Sequence, residues 1–247
     1  MSQRVAIVMA AGKGTRMKSD LPKVLFPVLG RPMIHYVLDA LEAARVDHSI
    51  VVVGYRAEDV QQELASRKHT TFALQAEQLG TGHAVMMCRD QLAGHDGPVL
   101  VVAGDSPLMQ PASLQALFAE FDRSRPACLL GAGYKENPFG LGRIVRDADR
   151  NFLGIVEEKD ASPEQKRIQE VNLSTYIFNG PDLLFALDKI RANNAQREYY
   201  LTDCPSVLLQ AGREVRALDV LQPCEALSIN NIDELRAVEA EMQRMAS

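Results

Sequence analysis

A doubly wound α/β fold, with a mostly parallel sheet and a mixed-sheet insertion, is predicted by three features of the sequence. Short apolar runs recur, each closing on a glycine within a few residues. Amphipathic stretches with apolar residues at helical spacing fill the intervals. Past Ala127 the rhythm changes to strand-like pieces separated by Gly- and Pro-containing turns.

The first run, Val5-Ala6-Ile7-Val8-Met9, is followed by Ile50-Val51-Val52-Val53 and by Val99-Leu100-Val101-Val102-Ala103. Runs of this length without polar alternation are expected as strands covered on both faces. Helices are expected over Met33 to Ala44, Ala57 to Ser66, Thr81 to Leu92 and Ser113 to Arg123. Strand, helix and strand thus alternate, and ligands of such sheets sit beyond the carboxyl ends of the strands, so the loops after Met9 and Ala103 matter most. The second rhythm places strands at Cys128 to Ala132, Arg143 to Arg146, Phe152 to Glu157 and Val171 to Asn179. Helical character returns at Asp182 to Ala192 and Asp203 to Ala211. A strand at Val215 to Leu221 and a charged helix at Ile232 to Met245 follow. No repeat is visible, and no six-residue periodicity near the end that a β-helix would require.

Across 247 residues, 27 Lys+Arg stand against 32 Asp+Glu, a net charge of −5 that disfavours a nucleic-acid binder. Hydrophobic residues at 47% exclude a disordered chain, and four cysteines in such a length exclude a disulfide framework. Cys88, Cys128, Cys204 and Cys224 are far apart, with neither a C-x-x-C pair nor a zinc-ligand spacing, and are expected as reduced, packed thiols. Val5 to Ala11 is too short to span a membrane, so a cytoplasmic protein without a membrane partner is expected.

Beyond the first strand, Ala10-Ala11-Gly12-Lys13-Gly14-Thr15-Arg16-Met17 combines small residues with two glycines, which lets backbone N–H groups approach an anion. It is not a P-loop, since no Gly-Lys-Ser/Thr follows at the required spacing. Nor is it the dinucleotide fingerprint, because Met17 stands where the third glycine belongs. A phosphate cradle and a tight strand-to-helix turn with solvated Lys and Arg are both open on the loop alone. Asp105, directly after Gly104, places a hard carboxylate at the ligand-bearing edge, suited to Mg²⁺; it would equally cap the turn into Ser106-Pro107.

The longer stretch Ala10 to Leu25, including Arg16 and Leu21-Pro22-Lys23-Val24-Leu25, resembles the signature of sugar-phosphate nucleotidyltransferases. Three further segments narrow the likeness: Leu74 to Ala84 (LQAEQLGTGHA), Gly154 to Ala161 (GIVEEKDA) and Asn193 to Asp203 (NNAQREYYLTD). Together they resemble the uridylyltransferase half of the bifunctional bacterial N-acetylglucosamine-1-phosphate uridylyltransferase family. The acetyltransferase β-helix of that family has no counterpart in the sequence.

This resemblance implies a Rossmann-like fold of the nucleotide-diphospho-sugar transferase type over residues 1–247. Residues 1–126 would be the nucleotide half, 127–227 the sugar-binding half, and 228–247 a metal-ligand turn with the final helix. The implied reaction joins UTP to N-acetylglucosamine 1-phosphate with Mg²⁺. Arg16 and Lys23 would be the catalytic cations, where Arg forks onto triphosphate oxygens and Lys supplies a compact charge. Met9, Ala10, Ala11, Gly12, Gly14, Ala103, Gly104 and Asp105 would hold the nucleotide, with Gln75, Gly80 and Thr81 at the base. An amide suits the uracil edge because it presents both donor and acceptor.

Gly140, Glu157, Asn172 and Asn230 match the sugar-binding positions, and the resemblance implies Asp105 and a second residue within Ser228-Ile229-Asn230-Asn231 as metal ligands, of which Asn230 is the better candidate beside its neighbour Asn231. Asn231, three residues before Glu234, is expected as the N-cap of the last helix. His83 is expected to be packed or capping. The sequence departs from the family at Ala103 and Leu141, where Tyr is usual, and at Leu173-Ser174, where Thr-Gly is usual; all bear on the acceptor. Chemistry on another hexose 1-phosphate or nucleotide, and a non-catalytic nucleotide-sugar sensor, remain as rivals. A monomer or weak oligomer is expected, since the family's trimer contacts are implied to lie in the β-helix.

Overall fold

Successive residues of β1 (Val5–Met9) point to opposite sides of the sheet and both sides are covered, which is why the run is apolar throughout. In the computed structural model, which describes residues 2–14, 19–229 and 231–246, β1 lies between β4 (His48–Val53) and β6 (Pro98–Ala103), parallel to both. β5 (Thr70–Leu74) extends this parallel group beyond β4. On the other side β10 (Glu170–Asn179) runs antiparallel to β6 and to β7 (Cys128–Tyr134). β11 (Val215–Asp219) closes that edge in parallel with β7. The order is β11-β7-β10-β6-β1-β4-β5, with β8 (Gly142–Arg146) and β9 (Phe152–Val156) attached to the outer part of β10.

Ala6, Val8, Val51 and Val102 face one apolar layer, filled by α1 (Met33–Ala43), α2 (Ala57–Glu63) and α4 (Pro111–Ser124). Val5, Ile7, Val52 and Val101 face the other, filled by α3 (Thr81–Met86), α5 (Gly180–Lys189) and α6 (Asp203–Gln210). α7 (Ile232–Ala246) packs Val238 with Met33 and with Val28 of a small hairpin, β2 (Pro27–Val28) and β3 (Arg31–Pro32). The α/β class, the parallel core and the mixed second half therefore agree with the sequence reading.

Element ends differ from it in places. α4 and α5 begin earlier than expected, at Pro111 and Gly180, because a proline in the first turn lacks only an N–H that would have no intrahelical partner. The stretch expected as one helix over Thr81 to Leu92 is α3 followed by a short 3₁₀ turn at Asp90–Leu92. β5 was not expected at all: Thr70-Thr71-Phe72-Ala73-Leu74 is an edge strand with little burial and has no apolar run to betray it.

Cys88, Cys128 and Cys204 are buried and Cys224 half-buried, all unbridged. Burial pushes the Cys88 thiol up to about 12 and holds Cys204 higher still, so both are inert packing thiols. Among the described residues no helix is long and apolar enough to cross a membrane.

Candidate active site

The chain leaves β1 toward β4 on one side and returns as β6 on the other, so a crevice opens at the carboxyl ends of β1 and β6. Met9 and Ala103 are register partners there, the Gly104 N–H donates to the Met9 carbonyl at 2.9 Å, and the Ala10 N–H donates to the Val52 carbonyl at 2.9 Å. A cavity of about 420 Å³ occupies the crevice. Met9, Ala10, Ala11, Gly12, Lys23, Gln75, Gly80, Thr81, Ala103 and Asp105 all line it, as do Ser174, expected to bear on the acceptor, and Gln78 and Glu198, to which sequence reasoning gave no role. Gln78 and Glu198 lie inside two of the motifs, so motif membership was the available signal.

Gly14 and Gly104 do not line the cavity but support it. Gly14 has φ +67°, and a Cβ there would come within 2.8 Å of Lys23 Cβ, so only glycine lets the loop lie against that lysine. Lys23 opens a 3₁₀ turn, Lys23–Leu25, whose Val24 and Leu25 are buried as anchors. Its ammonium pairs with the Asp105 carboxylate, both side chains being mostly enclosed. The cation proposed for phosphate and the carboxylate proposed for metal thus meet at one point. Arg16 and Asn230, together with Thr15 and Met17, lie outside the described residues.

Gln75 is 3% exposed, and its amide nitrogen donates to the Gly80 carbonyl and to His83 Nδ1, each at 3.1 Å. A carbonyl only accepts, so Gly80 fixes which end of the amide is nitrogen. His83 Nδ1 must then accept, and its proton sits on Nε2. His83 was expected only to pack or cap; it orients the amide instead. The turn at Gly80 is strapped by the 193–203 motif. The Tyr199 N–H donates to the Leu79 carbonyl at 2.8 Å, the Gly82 N–H to the Tyr199 carbonyl at 2.7 Å, and the Leu201 N–H to Thr81 Oγ1 at 3.0 Å.

A second cavity, of about 330 Å³, adjoins the first and shares Ala103, Asp105 and Ser174 with it. Gly140, Leu141 and Asn172 line it, together with Lys135 and the exposed ring of Phe139. Asn172 is 5% exposed; its amide nitrogen donates to the Tyr176 hydroxyl at 2.6 Å, and its oxygen accepts from the Ser174 N–H at 3.2 Å. The Gly140 N–H donates to Glu158, which also pairs at 2.6 Å with the fully buried Arg143. That pair, unforeseen from sequence, anchors the 139–141 turn.

Glu157 lines a third cavity, of about 300 Å³, with Asp160, Thr202 and Asp203. It is nevertheless close to Asn172, since both lie 3.6 Å from the position a Cβ would take at Gly142. Burial pushes its carboxyl above the ordinary range, opposed by the hydrogen bond from Thr202 and reinforced by Asp160 and Asp203.

Asn231 accepts the Glu234 N–H at 2.9 Å and caps α7 as expected. No group of three or more His, Cys, Asp or Glu among the described residues could hold a metal as a cage. A single hard carboxylate at the junction of two cavities fits Mg²⁺ instead, an ion held by one or two protein oxygens and by substrate phosphates.

Residues 6–168 match the MobA-like NTP transferase domain family. The chain is 45% identical over 244 residues to the bifunctional protein GlmU of Streptococcus suis (strain 98HAH33), covering 99% of this chain and 53% of that protein. It is 45% identical over 239 residues to the bifunctional protein GlmU of Syntrophotalea carbinolica, covering 97% and 51%. The chain therefore spans about half the length of these relatives. In fold it resembles a UDP-glucose pyrophosphorylase solved with UDP-glucose, with a TM-score of 0.79, 16% identity, and 99% and 100% of the two chains covered.

Proposed function

The chain belongs to the MobA-like NTP transferase domain family and is a nucleotidyltransferase, and on that premise we propose that it transfers a uridylyl group from UTP to N-acetylglucosamine 1-phosphate. The observation that carries this reading is the pair of adjoining cavities with Lys23 and Asp105 at their junction. One cavity has the size and the amide-bearing wall for a nucleotide, the other the hydrogen-bonding wall for a sugar phosphate. The motif resemblance and the 45% identity over nearly the whole chain support the choice of substrates.

An oxygen of the sugar phosphate attacks the α-phosphorus of UTP, a new P–O bond forms, and the bond to the β-phosphate oxygen breaks. Pyrophosphate leaves and UDP-N-acetylglucosamine remains. The attacking oxygen is already anionic at neutral pH, so no general base is needed; the barrier is one of gathering and aligning negative charge. Lys23, released from Asp105, would meet the α-phosphate, and Arg16 would fork onto the triphosphate. Asp105 and Asn230 would hold Mg²⁺, which when bound supplies positive charge between the phosphates. Gln75, held by Gly80 and His83, would read the uracil edge. Gly140, Asn172 and Glu157 would hold the sugar.

A second reading, the same chemistry on another hexose 1-phosphate, is favoured by Ala103, Leu141 and Ser174 on the acceptor wall. A screen of sugar 1-phosphates against the four nucleoside triphosphates, following pyrophosphate release with Mg²⁺, tests both. Release with UTP and N-acetylglucosamine 1-phosphate is expected; no release from any pair would leave a nucleotide-sugar sensor. We further infer a cytoplasmic setting with no nucleic-acid or membrane partner. A monomeric or weakly associating chain is also inferred, which light scattering would overturn by showing a concentration-independent trimer.

A further inference from the structure

β10 does not run straight past the junction of the two cavities. Its register against β7 shifts between Asn172 and Tyr176, and at the centre of the irregularity Ser174 has φ +55°. That is the left-handed region, which costs a non-glycine residue of this kind energy that the surrounding structure must hold in place. The holding contacts are visible: the Ser174 N–H donates to Asn172 Oδ1 at 3.2 Å, and Thr175 Oγ1 donates to the Leu173 carbonyl at 3.4 Å. Glycine would take this conformation without strain, yet a hydroxyl-bearing side chain stands here.

What that side chain faces is the second observation. Ser174 is one of three residues, with Ala103 and Asp105, that line both cavities, and its hydroxyl has no hydrogen-bond partner among the described residues. Its two preceding neighbours, Asn172 and Leu173, line the acceptor cavity and not the nucleotide cavity. Ser174 thus continues the strand that builds the acceptor wall, and it stands at the end of that wall where the two cavities meet beside Asp105, the partner of Lys23. The part of a sugar 1-phosphate that would occupy that end is its phosphate.

We infer that Ser174 is an acceptor-binding residue whose hydroxyl donates a hydrogen bond to the phosphate of the bound sugar 1-phosphate, the strained backbone at this position being what aims it into the junction. The inference rests on the reading of the two cavities given above. A hydrogen bond to a charged oxygen is the stronger kind, so its removal should be read in acceptor binding and not in nucleotide binding.

The experiment compares the native chain with Ser174→Ala and Ser174→Gly, measuring KM for UTP and for the preferred sugar 1-phosphate, and the melting temperature. Both variants should raise KM for the sugar phosphate by roughly tenfold or more and leave KM for UTP within about twofold, the scale of a contact not made. Ser174→Gly should at the same time melt a few degrees or so higher, because it removes the strain. Ser174→Thr, which keeps the hydroxyl, should retain acceptor KM near the native value while melting lower. An active native chain whose Ser174→Ala form has unchanged KM for the sugar phosphate, or a raised KM for UTP alone, overturns the inference and leaves the functional reading standing. A native chain that turns over no sugar 1-phosphate overturns both.

Discussion

The two walls of the cleft, the one proposed to take the nucleotide and the one proposed to take the acceptor, are built from different materials. Met9, Ala10, Ala11, Gly12 and Ala103 are small or present backbone at the ends of two parallel strands whose register sets them side by side. Gln75, the base-reading candidate, is locked by one carbonyl and one imidazole. Across the junction the acceptor wall comes from antiparallel strands with a shifted register, a buried Arg143–Glu158 pair under the 139–141 turn, and a Phe139 ring that is 78% exposed. A wall made of strand ends and backbone groups allows little side-chain variation. A wall made of side chains on a bulged strand and a turn can be altered one residue at a time, and Leu141 and Ser174 are such alterations. Choice of nucleotide should therefore be stricter than choice of sugar.

The largest expected effect breaks both walls at once. Lys23→Ala removes the cation at their junction and should lower kcat by about a hundred- to a thousandfold, the usual loss of about 2.7–4 kcal/mol for one transition-state contact. Turnover near the native value at saturating substrates would show that the junction is not where the charge is met. Next, a pocket that hydrogen-bonds a base edge leaves buried groups unpaired against the wrong base, so UTP should exceed CTP in kcat/KM by about a hundredfold or more, whereas other hexose 1-phosphates should fall within about tenfold of the best. Gln75→Ala should collapse the first ratio and leave the second. Equal use of UTP and CTP beside absolute selectivity for one sugar would invert the comparison.

Smaller effects sharpen it. A Cβ at Gly82 would stand 2.6 Å from Ile190 Cδ1 and 2.9 Å from the Tyr199 carbonyl, so Gly82→Ala should cost about 1–3 kcal/mol in denaturant melts. It should also raise KM for UTP more than for the sugar phosphate, because the strap across Thr81 belongs to the nucleotide wall. Asn231→Ala removes the α7 cap and should cost about 1 kcal/mol, with the Mg²⁺ dependence of activity unchanged; a shifted Mg²⁺ titration would move the metal ligand from Asn230 to its neighbour.

Glu157 gives the least, since Thr202 opposes the burial that raises its pKa. A raised folded pKa means its contribution is fully present below the ordinary carboxylate range and is lost as pH rises through the folded value. Glu157→Gln should thus be relatively more stable near neutrality than at pH ~4. Urea midpoints of the two proteins that keep a constant separation at both pH values would contradict burial as the cause.

The runs that became β1, β4 and β6 were legible because burial on both faces is written residue by residue in apolar side chains. The loop after β1 could be nominated as a phosphate cradle because glycine and small residues are needed where backbone must approach a ligand. β5 was hidden, since an edge strand needs no such pattern. So was the part of His83, whose hydrogen bond to Gln75 follows from how the Gly80 turn folds back. Lys23 and Asp105, far apart in the chain, were each readable as candidates from their surroundings in sequence, but their meeting was decided by the parallel pairing of β1 with β6.

The acceptor wall shows the same division more sharply. Asn172 and Glu157 were named from motif positions, yet which cavity each lines, and the left-handed backbone at Ser174, depend on strand register across three antiparallel strands. By itself the sequence determined the α/β class and the buried strands, and it nominated candidates for phosphate and base, because those follow from the burial and conformational needs of each residue in its own neighbourhood. Only the tertiary structure decided the shared junction and the division of the acceptor residues between cavities, because a site is a convergence of side chains from strands whose relative register no local pattern encodes.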